Sequence, residues 1–111
     1  MAIPVLTSKP SLIEFKHLKF LIMDAPKENN LHLYLKECEK HHVSDIVRIS
    51  EPTYRKEEVE KAGISLHEMY FDDGASPPED IIENWIALVQ DVFGRRNEDG
   101  KCIAVHCVAG L

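Results

Sequence analysis

A chain of 111 residues, 44% hydrophobic and 29% charged, has the size and apolar content of one globular domain with a modest core. Its formal net charge of −6 argues against the basic stripe of a nucleic-acid-binding face, although backbone N–H groups can still hold a phosphate-sized anion. The three cysteines, Cys38, Cys102 and Cys107, form no disulfide framework and fit a reducing, intracellular compartment.

Residues 1–11, with Pro4 and Pro10, read as a loose leader to a domain over residues 12–111. The opening lacks the basic-then-apolar order of a secretory signal, and no apolar run reaches membrane-spanning length. Leu12–Phe15 and Leu18–Ala25 read as two strands. Leu31, Leu35 and Cys38 recur at helical spacing, which predicts a helix over Leu31–Lys40 with Cys38 half-buried and His41 and His42 at its positive-charge-favouring end. Val43–Ser50 is β-rich and reads as a strand. Lys56–Ala62 reads as a short helix ended by Gly63, and Ser65–Phe71 as another strand. Asp72–Pro78 is a loop punctuated by one glycine and two prolines. Ile81, Ile82, Trp85, Ile86, Val89, Val92 and Phe93 make one apolar stripe, so a helix follows, with Ser76 and Glu79 at capping-box spacing and Gly94 as its stop. Cys102–Cys107 is a last, nearly all-apolar strand. The order β, β, α, β, α, β, loop, α, β implies α/β architecture with parallel strands joined by helices.

In an open α/β sheet, ligands bind beyond the carboxyl ends of the strands, and Cys107 lies at such an end. Val108, Ala109 and Gly110 are small enough to let successive N–H groups converge on an anion. A thiol in that positive field loses its proton more readily than the ordinary value of about 8.5 allows. His106 would hold the loop and help to set the thiolate. Displacement at phosphorus needs a proton donor for the leaving oxygen, and the Asp72–Asp73 pair offers one in a loop able to close. Each feature alone has a plainer reading. A strand-end cysteine is usually a small buried hydrophobe, and Asp-Asp-Gly usually a solvated turn. Cys102 and Trp85 read as core. His67 reads as a satisfied or surface histidine, and a metal site on His41, His42 and Asp45 as far less favoured than none.

Together these segments resemble a known family. "IAVHCVAGL" (Ile103 to Leu111) is similar to the nucleophile strand and phosphate loop of the protein tyrosine phosphatases, in particular the phosphatase of regenerating liver (PRL, type IVA) group. "FDDGASPP" resembles that group's general-acid loop. "LKFLIMDAP", "VSDIVRISEPTY", "VEKAGI" and "IIENWIALV" resemble further segments in the same order. The resemblance implies a three-layer α/β fold of the dual-specificity phosphatase kind, with a central, mostly parallel sheet. It implies Cys107 as nucleophile and Asp73 as general acid, with Asp72 as second choice. Val108, Ala109, Gly110 and Leu111 become the start of the phosphate cradle, and His106 a supporting residue. It implies no metal and no cofactor. Substrates would be phosphoproteins carrying phosphotyrosine, with phosphoserine/threonine or phosphoinositides as the alternatives. The rival expectation is a non-catalytic binding module for a CBS-pair magnesium transporter.

Three departures qualify the likeness. Ser50 stands where the group has a cysteine able to form a disulfide with the nucleophile. Met69-Tyr70 replaces the Trp-Pro that introduces the acid loop. The sequence stops at Leu111, before the loop's Gly-Arg and the helices that follow it. The expectation is therefore the N-terminal part of a longer catalytic domain, nearly inactive alone, since losing one such electrostatic contact costs on the order of 10²–10³ in rate. One face of the sheet would be left bare. Membrane association would belong to a tail absent from this sequence, and the location is otherwise cytoplasmic.

Overall fold

The computed structural model describes residues 9–50, 52–71, 76–95 and 100–107, with the backbone alone at Arg95 and Cys107. The strands are β1 (Ser11–Phe15), β2 (Leu18–Asp24), β3 (Val43–Arg48), β4 (Ser65–Glu68) and β5 (Cys102–Cys107). The helices are α1 (Leu31–Lys40), α2 (Lys56–Lys61) and α3 (Glu79–Gln90). The sheet order is β1-β2-β5-β3-β4. β5 lies between β2 and β3, parallel to both, and β4 runs parallel to β3. Among the described strands only β1 is antiparallel, joined to β2 by a two-residue turn in which Lys16 takes φ 55.

The sheet packs two cores, giving three layers. On one side, Leu31, Tyr34 and Cys38 of α1 and Val59 of α2 meet Leu21, Met23, Ile46, Leu66, Cys102 and Ala104 of the strands. On the other, Leu88 of α3, with Val92 and Phe93 just beyond it, packs on Val47, Met69 and Ile103, joined by Phe20 and Trp85. The parity of the strands explains the split, because alternate residues of β5 face opposite layers. Cys38 is fully buried rather than half-buried.

Helix ends follow local chemistry. α2 closes in a Schellman motif: Gly63, at φ 82, donates to the Glu60 carbonyl, and Ile64 donates to that of Val59. α3 does not use the capping box. Its N-cap is Pro78, extended at ψ 153, with no side-chain cap. Pro77 precedes a proline and is steered out of the helical region, so a helix cannot start at Ser76. Gly94 is no stop either, since a π-helical turn runs through it over Asp91–Arg95. β3 and β4 each end short of the expected residue, but the ladder continues by single bonds. Ile49 N–H donates to the His106 carbonyl and Met69 N–H to that of Arg48.

The stripe on α3 is wider than its contact. Ile82 and Ile86 are exposed, as are Ile13, Phe15 and Ile22 on the hairpin. In register, Ile13 sits opposite Phe20 and Phe15 opposite Leu18, so these side chains extend the α3 side of the sheet. That side is covered at its β3 half and open at its hairpin half among the described residues. None of the described helices is long and apolar enough to cross a membrane.

Candidate functional site

Three parallel strands end together at one edge of the sheet. Met23 and Asp24 of β2 pair with His106 and Cys107 of β5, and Arg48 of β3 pairs with His106 from the other side. The backbone therefore carries Cys107 to the carboxyl edge of the central strand, the position at which α/β sheets bind ligands. The side chain of Cys107, and Val108, Ala109, Gly110, Leu111, Asp72 and Asp73, lie outside the described residues. The flanks of the acidic pair are described. Phe71 and Pro77 line one apolar cleft of about 210 Å³ with Val47, Ile49, Met69, Ile81, Ile82 and Trp85. Both flanks of the segment bearing Asp72 and Asp73 thus border one cleft beside the ends of β3 and β4.

His106 is 1% exposed. Its Nε2 lies 2.5 Å from the Tyr54 hydroxyl, the two rings 5.4 Å apart between centroids. Tyr54 is held in turn by Arg48, whose Nη1 donates to the Tyr54 carbonyl at 2.9 Å and whose guanidinium lies 4.8 Å above the Tyr54 ring. Arg48 Nη2 donates to Glu68 Oε1 at 2.8 Å. Burial pushes the Tyr54 hydroxyl up to about 12, against the opposing pull of the nearby Arg48 charge. Thr53 Oγ1 donates to the Pro26 carbonyl at 2.5 Å, fastening the segment that carries Tyr54 to the end of β2. The loop that His106 was expected to hold lies outside the described residues; its Nε2 bonds to Tyr54 instead, and neither Arg48 nor Tyr54 was among the site residues the sequence identified. The available signal was an arginine directly after the apolar Ile46-Val47 pair of a strand, a position that needs partners if buried.

The remaining candidates fall elsewhere. Cys38 and Cys102 are buried in the core, their thiols pushed up by burial to about 12 and about 11. Such thiols are poor nucleophiles near neutrality. His67 Nε2 lies 2.8 Å from Asp45 Oδ2, and Ser44 Oγ donates to Asp45 Oδ1 at 2.6 Å. His67 is a satisfied histidine, and Asp45 faces it. Ser50 is buried beside the strand ends.

No family model matches the chain. The chain is 40% identical over 102 residues to the PRL-1 phosphatase of Drosophila melanogaster, covering 92% of this chain and 57% of that protein. It is 42% identical over 102 residues to protein tyrosine phosphatase type IVA 2 of Mus musculus, covering 92% and 60%. The solved structure of a protein tyrosine phosphatase from Leishmania major superposes with a TM-score of 0.82 at 37% identity, covering 94% of this chain and 71% of that one. The chain thus spans about three-fifths of the curated relatives it matches.

Proposed function

Because this chain belongs to the protein tyrosine phosphatase family, of the PRL or type IVA kind, we propose that the protein hydrolyses phosphotyrosine in proteins through a cysteinyl-phosphate on Cys107. The observation that carries the reading is the placement of Cys107. It sits at the carboxyl edge of the central strand, while the other two cysteines are sealed in the core. The Cys107 thiolate attacks phosphorus and the bond to the tyrosyl oxygen breaks. Asp73 gives its proton to that oxygen, with Asp72 as the alternative donor. In this reading the backbone N–H groups of residues 108–111 stabilise the charge that redistributes onto the phosphoryl oxygens. Water, its proton taken by the same aspartate, then attacks phosphorus and releases phosphate and the free thiolate. The work is done inside the cell, where the thiolate stays reduced. With Ser50 beside the site, the nucleophile has no cysteine at that position to pair with. A binding-module role toward a CBS-pair magnesium transporter, and a membrane tail, rest on the resemblance alone, and no described residue favours them.

Phosphate release from a phosphotyrosyl peptide tests the reading. Asp73→Asn should lower kcat by about 10²–10⁴, with the loss shrinking for substrates whose leaving group needs no proton. An unchanged rate for Asp73→Asn and a large loss for Asp72→Asn would transfer the acid role to Asp72. Phosphate release that survives Cys107→Ser would refute the mechanism.

A further inference from the structure

At the amino edge of the sheet, opposite Cys107, a surface cleft of about 480 Å³ opens where α1 and α2 end and β3 and β5 begin. Lys36, Lys101, His32 and His42 line it against one carboxylate, Glu39. Leu35 and Ile64 give it an apolar wall. The chain carries 19 acidic and 13 basic residues, so a patch with this balance runs against the composition. Neither lysine is neutralised. Lys40, Lys56 and Lys61 each pair with a carboxylate three or four residues away on their own helix, whereas Lys36 and Lys101 make no ion pair among the described residues. The helix ends bring carbonyl dipoles to the same place. Those of Glu37, Glu39, Val59 and Glu60, however, already accept N–H groups from the two turns. The ammonium groups therefore set the sign of the cleft.

His42 stands just past α1 in the left-handed region, at φ 59, where glycine is the usual residue. Gly63 fills the matching place after α2, on the same cleft, at φ 82. A side chain is thus kept at His42 against the preference of the backbone, the kind of outlier that marks a functional position. Its N–H donates to the Glu39 carbonyl and its carbonyl accepts from the Cys102 N–H, which fixes the residue to both α1 and β5. We infer that this cleft binds a small organic phosphate, with Lys36, Lys101 and His42 holding the phosphoryl oxygens and Leu35 and Ile64 receiving the body of the molecule. A cleft of this volume suits a small molecule, and lysine binds phosphate as a point charge. The site lies at the other end of β5 from Cys107 and does not depend on the chemistry there.

Phenylphosphonate, an anion with an apolar body and no ester bond to hydrolyse, is the probe, followed by amide NMR of the whole protein. Saturable shifts should appear at the amides of His42, Gly63, Ile64 and Lys101. Lys36→Gln and Lys101→Gln should each raise the Kd read from those shifts about two- to fivefold, the loss of one partly exposed charge contact. His42→Gly keeps the left-handed turn and should raise it by a similar factor without lowering the melting temperature. Should that variant disturb the turn, the two lysine variants carry the comparison. Benzylamine, of similar size and opposite charge, should leave the four amides unmoved. No saturable shift, shifts confined to the Cys107 end of β5, or variants that bind phenylphosphonate like the wild type would each overturn the inference. So would benzylamine moving those amides in place of phenylphosphonate.

Discussion

Cys102 and Cys107 begin and end the same strand, five residues apart, and the strand carries them to opposite edges of the sheet. Cys102 opens β5 inside the core, fully buried, its thiol pushed up to about 11. Cys107 closes β5 at the edge where β2 and β3 also finish and where His106 is tethered through Tyr54. The residue type is the same, and position along one strand separates a packing sulfur from a candidate nucleophile. Direction is the reason. All parallel strands deliver their carboxyl ends to one edge, where ligands bind, and their amino ends to the opposite edge.

The sharpest way to break the contrast is to exchange sulfur for oxygen at each end. Cys107→Ser should lower phosphatase turnover by roughly 10⁴- to 10⁶-fold, as removal of a nucleophile does. Cys102→Ser should leave kcat within about twofold and lower stability by about 1–3 kcal/mol, the cost of a poorly satisfied buried hydroxyl. Steady-state kinetics and urea unfolding of the two variants check both halves. Equal loss of activity from the two would erase the distinction.

Alkaline unfolding sharpens it. Burial holds the folded thiols of Cys38 and Cys102 well above the ordinary thiol value, so they keep protons that the unfolded chain releases. The unfolded state binds fewer protons there, and stability falls with rising pH. Their contribution is fully present below pH 9 and is lost progressively towards pH 11–12. Chemical unfolding between pH 8 and pH 11 should show this decline, and Cys38→Ala should flatten part of it. A stability profile level across that window would place these thiols in water.

The smallest effects contrast two glycines. Gly63 holds φ 82 in the Schellman turn, whereas an added methyl at Gly94 meets nothing within 4 Å and the backbone there is not left-handed. Gly94→Ala should raise stability by about 0.4–1 kcal/mol by restricting the unfolded chain, and Gly63→Ala should lower it by about 1 kcal/mol or more. Thermal melts of the two variants should move in opposite directions.

Much of this architecture was legible in the sequence. The bounds of α1 and β5 follow from the spacing of Leu31, Leu35 and Cys38 and from the apolar run between Cys102 and His106. The alternation of strands and helices led to the parallel sheet. Less legible was how much of an apolar stripe is used. On α3, Leu88 is buried while Ile82 and Ile86 face outward, because contact width depends on what packs opposite. The Ser76–Glu79 spacing suggested a cap that consecutive prolines forbid. The Tyr54–His106 bond joins residues 52 positions apart and the Arg48–Glu68 pair residues 20 apart, contacts that only the folded sheet and the segment after β3 create.

The most direct test of the central claim, that Cys107 carries the chemistry, is rapid acid quench of the protein turning over a phosphotyrosyl peptide, followed by peptide mass spectrometry. The account predicts a phosphoryl group on the peptide containing Cys107, absent in Cys107→Ser. Phosphate release with no phosphoryl group on that peptide, or one found on Cys102, would contradict it.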